Sequence, residues 1–170
     1  NWKMFGVPGS INLLNKINSF ISKDKSGNKY QVIITPPYTL LESFAKHFRK
    51  KRIMIGSQNC YQKDKFSSNT AAISPYMVKS VGAKYTLVGH SDNRAEGDTD
   101  LMLKTKVQLA LKNNLKVVFC IGENKFQKKN KKTFSVLKNQ LSKGLEKKFN
   151  KSNIIVAYEP IWSIGTGKIP

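Results

Sequence analysis

Arginine is scarce. Arg49, Arg52 and Arg94 are the only ones among 30 basic residues, in a chain of 170 whose 10 acidic residues leave a formal net charge of +20. A surplus of that size ordinarily points to nucleic acid or an anionic membrane surface. Bidentate reading of phosphate and guanine, however, leans on arginine, and the chain has no aromatic-interleaved basic motif of the usual RNA modules. Lysines spread over solvated faces by drift in coding-base composition are the simpler reading, so neither nucleic acid nor a membrane is expected as a partner. Cysteine is limited to Cys60 and Cys120, too few for a disulfide framework, and no His or Cys sits at zinc-ligand spacing. No metal is expected, both thiols read as buried apolar residues, and a reducing, cytoplasmic compartment fits. No apolar run reaches 18 residues, and Asn1-Trp2-Lys3-Met4 does not open a signal peptide. Pro and Gly, at 6 and 11, are not enriched, which excludes a disordered composition. The chain starts on Asn1 rather than Met and stops at Pro170 with no element closed, so both ends read as cut.

Short β-branched runs alternate with longer amphipathic ones throughout, the βαβ pattern. Trp2-Lys3-Met4 is expected as a first strand, and Ser10 as the cap of a helix facing the core through Leu13, Ile17, Phe20 and Ile21. Val32 to Thr35, Ile53 to Gly56, Tyr85 to Gly89, Val117 to Ile121 and Ile154 to Tyr158 supply five more strands. Between them lie a stripe of Leu40, Leu41, Phe44, Ala45 and Phe48, a short helix opened by Ser74-Pro75, and a helix carrying Leu103, Val107, Ala110 and Leu111. A lysine-rich helix follows, threaded by Phe134, Leu137, Leu141 and Leu145. Its lysines, part of a tract running to Lys151, read as its wet face. Continuous apolar strands indicate a parallel sheet covered by helices.

Two architectures compete: a doubly wound sheet, and a (β/α)8 barrel with its chemistry at the C-terminal strand ends. Lys3, Gln58, His90, Glu123 and Glu159 all fall at such ends, which favours the barrel. Residues 1–170 are then one domain, an incomplete (β/α)8 barrel with strands 1–6 and helices 1–5. Glu159, between an apolar strand and Pro160, suits a general base. His90, at the mouth of a short helix beginning Ser91-Asp92-Asn93, would be held neutral by the helix N-terminus. Lys3, on what reads as a buried strand, suits a fixed positive charge for an anion. Such a trio is fitted to proton abstraction beside a carbonyl. His47, near a cluster of surface cations, reads as structural. Ile164-Gly165-Thr166-Gly167-Lys168 is neither a Walker A loop, since Trp162 and Ile169 occupy its required Gly and Ser/Thr positions, nor a dinucleotide fingerprint. It reads as a hinged lid.

Five collinear segments resemble the triosephosphate isomerase family: Asn1-Trp2-Lys3-Met4, Gly56-Ser57-Gln58-Asn59-Cys60, Val88-Gly89-His90-Ser91, Cys120-Ile121-Gly122-Glu123 and the twelve residues from Ala157 to Lys168. The resemblance implies a cofactor-free, metal-free homodimeric TIM barrel that interconverts dihydroxyacetone phosphate and glyceraldehyde 3-phosphate through an enediolate, in glycolysis and gluconeogenesis. It implies Glu159 as the carbon base, His90 as the neutral electrophile, Lys3 as the cation at the substrate and Asn1 as its polar neighbour. By the same resemblance the Gly165 N–H contacts the phosphate when the lid, Pro160 to Lys168, closes. The loop from Lys63 to Ile73, with Thr70 near its tip, would insert into a partner subunit beside Asn1 and Lys3. Departures from the family pattern are Asp92 in place of Glu, Asn93 in place of Arg, Ala72 in place of Glu, and a shortened stretch from Arg94 to Asp100. The family's later phosphate-binding residues lie in strands 7 and 8, so residues 1–170 alone are expected to be inactive. An inactive interaction piece and a basic nucleic-acid module are the alternative readings.

Overall fold

The computed structural model describes residues 1–24, 30–146 and 152–169. A 3-10 turn, Pro8–Ser10, leads into α1 (Ile11–Lys23), after which strands and helices alternate. They are β1 (Val32–Ile34), α2 (Tyr38–His47), β2 (Ile53–Ser57), α3 (Pro75–Ser80), β3 (Tyr85–Val88), α4 (Ser91–Ala95), α5 (Asp100–Lys112), β4 (Lys116–Ile121), α6 (Lys125–Lys129), α7 (Thr133–Gly144) and β5 (Ile154–Tyr158). Strand and helix starts follow local chemistry. Ser74 Oγ accepts from the Met77 N–H at 3.2 Å and Thr99 Oγ1 from the Met102 N–H at 3.3 Å, each capping its helix.

All strand pairs are parallel and the strands lie side by side in chain order, β1-β2-β3-β4-β5. A doubly wound sheet would reverse its order at a switch point. An unbroken sequential order is that of a barrel wall, and the chain forms a curled, incomplete (β/α)8 barrel. Tyr85, which begins β3, stands opposite Gly56 near the end of β2, a stagger of the kind that barrel closure requires. Every residue of β3 is buried, as is all of β2 except Met54, the pattern of parallel strands covered on both faces. The stripe of α2 is buried as its periodicity predicts, and Leu103, Val107 and Ala110 of α5 join it in one core with Val117 and Phe119 of β4.

Four expectations are corrected. The expected first strand does not form: Trp2 N–H donates to Thr35 O at 3.0 Å, but Lys3 then adopts φ 50° and turns the chain after a single bond. The described residues therefore hold five strands. Ser10 does not cap α1 with its side chain; its Oγ instead accepts from the Val7 N–H at 3.1 Å and closes the preceding turn. Leu13 and Phe20 of α1 are 54% and 74% exposed, and Leu14 and Ile21 face the core. The lysine-rich helix breaks in two at Lys131, φ 56°, so that with α4 the described residues contain seven α-helices rather than five. Leu137, Leu141 and Leu145 pack on the core, whereas Phe134 is 88% exposed. The end of that lysine tract, residues 147–151, lies outside the described residues.

Candidate active site

The strand ends deliver the side chains. Gly89, at φ 79°, turns the chain out of β3, and Arg94 secures that turn by donating from Nε to Gly89 O at 2.8 Å and from a terminal nitrogen to Cys120 O at 3.1 Å. One guanidinium thus ties the ends of β3 and β4 together. His90 then caps α4: its Nδ1 accepts the Asp92 N–H at 3.2 Å. A ring nitrogen that accepts carries no proton, so a neutral ring holds its proton on Nε2. His90 is 5% exposed, and Nε2 has no hydrogen-bond partner among the described residues. The nearest charge is the Glu159 carboxylate, with Oε2 at 3.3 Å but outside hydrogen-bond geometry.

Glu159 follows β5 directly, and its N–H donates to Ile121 O at 2.8 Å, continuing the β4–β5 ladder past the last strand residue. Its side chain is 45% exposed and stands in the open mouth of the sheet. Gly122 is what lets it stand there. A Cβ on Gly122 would lie 2.1 Å from the Glu159 carbonyl oxygen, closer than any real contact, so the two strand ends approach only because position 122 has no side chain. Gln140 fixes Gly122 in turn, accepting from its N–H at 2.9 Å and donating to its O at 3.0 Å.

Lys3 is not on a buried strand. It sits in a left-handed turn closed by its own N–H donating to Asn1 Oδ1 at 2.9 Å. Gln58 Nε2 donates to Lys3 O at 2.7 Å and Thr35 O at 3.0 Å, anchoring the turn to the end of β1. A lysine at positive φ is strained by about 1 kcal/mol or more. Its ammonium lies 3.4 Å from Asp92 Oδ2, which is also 3.5 Å from His90 Nδ1. The shorter Asp92 therefore still reaches Lys3, while its carboxylate makes no hydrogen bond to the unprotonated Nδ1 of His90. Asn1, Lys3, Gln58, His90 and Asp92 line one cavity of about 560 Å³, while Glu159 touches it through His90 rather than lining it.

Two expected residues are not brought there. Gly165, φ 68°, is exposed with open space around it, and Thr70 is exposed on its loop, although its neighbours Ala71 and Ala72 line the cavity. The lid's entry, by contrast, is fastened. Glu123 is 0% exposed, and its carboxylate accepts from Trp162 Nε1 at 2.8 Å, Tyr158 OH at 3.2 Å and Thr133 Oγ1 at 3.2 Å. Burial alone would raise its pKa, but the donors, Trp162 foremost, outweigh it and hold the carboxyl below its ordinary value. Ser163 N–H and Oγ close a turn on Pro160 O. The sequence offered Glu123 only as a residue of the rim; Gly122 and Arg94 carried no role there at all. A glycine immediately after an apolar strand and one of three arginines were the available signals.

Both thiols are buried, as expected. Burial pushes Cys60 up to about 12 and Cys120 up to about 11. No group of three or more His, Cys, Asp or Glu among the described residues converges on a metal position.

The triosephosphate isomerase family model matches residues 1–170. The chain belongs to the triosephosphate isomerase family. It is 37% identical over 171 residues to the triosephosphate isomerase of Thermoanaerobacter pseudethanolicus, covering 99% of this chain and 67% of that one. It is 36% identical over 168 residues to that of Bartonella henselae, covering 98% of this chain and 65% of that one. The crystal structure of triosephosphate isomerase from Bartonella henselae superposes with a TM-score of 0.88 at 34% identity, over 95% of this chain and 66% of that one. The chain thus spans about two-thirds of the length of the triosephosphate isomerases it matches. No helix among the described residues is long and apolar enough to cross a membrane.

Proposed function

We propose that these residues serve the isomerisation of dihydroxyacetone phosphate and D-glyceraldehyde 3-phosphate. The observation that carries the reading is the pairing of a buried imidazole, its Nδ1 blocked by a helix N–H, with a carboxylate 3.3 Å from its Nε2. Glu159 removes a proton from the carbon beside the substrate carbonyl. The electron pair left behind forms the carbon–carbon double bond of the enediolate, and the former carbonyl oxygen gains the negative charge. His90 donates to that oxygen from Nε2, a neutral imidazole serving as electrophile as is established for this family. The Lys3 ammonium adds fixed positive charge, and the strain at its φ supports a role beyond surface solvation. A proton then passes, through His90, from the hydroxyl on the carbon that lost its hydrogen to the former carbonyl oxygen; Glu159 returns its own proton to the adjacent carbon, and the electron pair of the newly deprotonated oxygen forms the aldehyde C=O. No cofactor or metal enters these steps.

The lid from Pro160 to Lys168, with the Gly165 N–H, is assigned to closure over the substrate phosphate. The protein is assigned to the cytoplasm, to glycolysis and gluconeogenesis, and to a homodimer in which the loop bearing Thr70 fills the partner's cavity beside Asn1 and Lys3. Phe66, 77% exposed on that loop, and Met4 and Phe5, 96% and 75% exposed at the cavity, support an occupant there. Residues 1–170 alone are assigned no turnover. The decisive test is the rate of triose phosphate interconversion by the protein from its natural source and by its Glu159→Gln variant. Loss of about 10³-fold or more in kcat is expected; a variant within a few-fold of the parent removes Glu159 as the base.

A further inference from the structure

A second cavity, of about 370 Å³, lies at the opposite end of the sheet from His90 and Glu159. It is lined where β2, β3 and β4 begin, by Ile53, Lys84, Tyr85 and Lys116. Three separate connections bring cations to it: Arg49 and Lys51 before β2, Lys79 and Lys84 around the turn into β3, and Lys116 at the start of β4. Its lining contains no Asp or Glu. Among the described residues none of these five cations is paired with a carboxylate, whereas lysines elsewhere, such as Lys46, Lys106 and Lys112, are. Drift places lysines on convex, solvated faces, where repulsion is screened. Here Lys79 is part-buried and Arg49, Lys51, Lys84 and Lys116 stand exposed around one concavity whose lining holds no counter-charge.

The lysines bear the imprint of that arrangement. Burial, and then the neighbouring Lys84, hold the Lys79 ammonium below its ordinary value. Lys79 finds one acceptor, the Asn114 carbonyl at 2.8 Å, and keeps further donors to offer. The wall behind the cations is apolar, with Phe48 and Ile53 buried in the core. The volume falls within the range of small-ligand sites.

We propose that this cavity binds a compact polyphosphate anion carrying two or three phosphate groups. Its recognition is by lysine and arginine charge, and its source is either an inorganic polyphosphate or the phosphate tail of a nucleotide. This site is independent of the catalytic mouth and goes beyond the isomerase reading.

The test is calorimetric titration of the intact protein with tripolyphosphate and with ATP in 0.15 M KCl, which screens diffuse surface attraction. Saturable binding at one site is expected, weakened about ten- to a hundred-fold by the exposed pair of changes Lys84→Gln and Lys116→Gln. The equally charge-reducing pair Lys16→Gln and Lys23→Gln on α1 should leave it unchanged, as should Lys3→Gln in the catalytic mouth. Tighter binding of ATP than of tripolyphosphate identifies the nucleotide as the source, and equal binding identifies the polyphosphate alone. Absence of saturable binding overturns the proposal. So does equal weakening by the α1 pair, which would make the attraction delocalised, or loss on Lys3→Gln, which would place the anion in the mouth.

Discussion

Replacing Glu123 by Gln probes how the lid is held to the barrel. The carboxylate is fully buried and takes donors from Trp162, Tyr158 and Thr133, which belong to the lid, to β5 and to the start of α7. Hydrogen bonds to a charged acceptor contribute about 1.5–3 kcal/mol each. Gln offers one acceptor oxygen and an amide group that faces donors. The Trp162 N–H cannot reverse its role, whereas the two hydroxyls can. A net loss of about 3 kcal/mol follows, or roughly 6–12 °C in Tm for a chain of this size.

The pH dependence sharpens the prediction. Because the folded carboxyl titrates below its ordinary value of 4.5, its stabilisation is complete above that value and is lost as pH falls through the lower folded value. Parent and variant should therefore differ most near neutral pH and converge below about pH 4.5. Thermal unfolding of both proteins from pH 7 to pH 3, followed by far-UV circular dichroism, measures this. Fluorescence quenching of Trp162 by iodide should rise in the variant at neutral pH as the lid entry is released. A difference in Tm that stays constant across the pH range would refute the assignment of Glu123 as an ionised anchor. Unchanged quenching would refute its hold on the lid.

Gly122→Ala places a Cβ where the Glu159 carbonyl now stands, 2.1 Å away. In the protein from its natural source, the shift of the strand end should lower kcat about a hundred-fold while circular dichroism shows the fold retained; parent-like turnover would mean that the β4–β5 approach does not set the carboxylate. Asp98 and Lys106 form a pair 2.7 Å apart with side chains 10% and 4% exposed, and Asn59 also accepts from Lys106 at 3.2 Å. Asp98→Asn should destabilise by about 3–5 kcal/mol in denaturant unfolding, because it leaves a buried charge unpaired. The double change Asp98→Asn with Lys106→Met should recover most of that loss. No recovery would indicate that the pair acts through packing rather than charge.

Much of this was written locally. A run such as Val117 to Ile121 is apolar at every position, and a stripe such as Leu40, Leu41, Phe44 recurs at the helical period, so strand and helix follow from nearest neighbours in the chain. A polar residue ending such a run necessarily sits at a strand end. His90 and Glu159 could therefore be placed on one rim from the sequence alone, and twelve collinear residues from Ala157 to Lys168 carried the family. Local pattern misled where a segment had too few partners. Trp2-Lys3-Met4 has strand-like composition, but a strand is made by hydrogen bonds to neighbours, and Lys3 turns away after one.

The sequence by itself determined the order and type of most elements and the identity of the chemical groups, because periodicity and strand ends are one-dimensional properties. Only the tertiary structure decided the sequential strand order, the need for a bare backbone at Gly122, the clamp of Arg94 across β3 and β4, and the anchoring of Trp162 by Glu123. Each of these is a contact between residues distant in the chain, and its energy depends on distances of a few ångströms that no local pattern encodes.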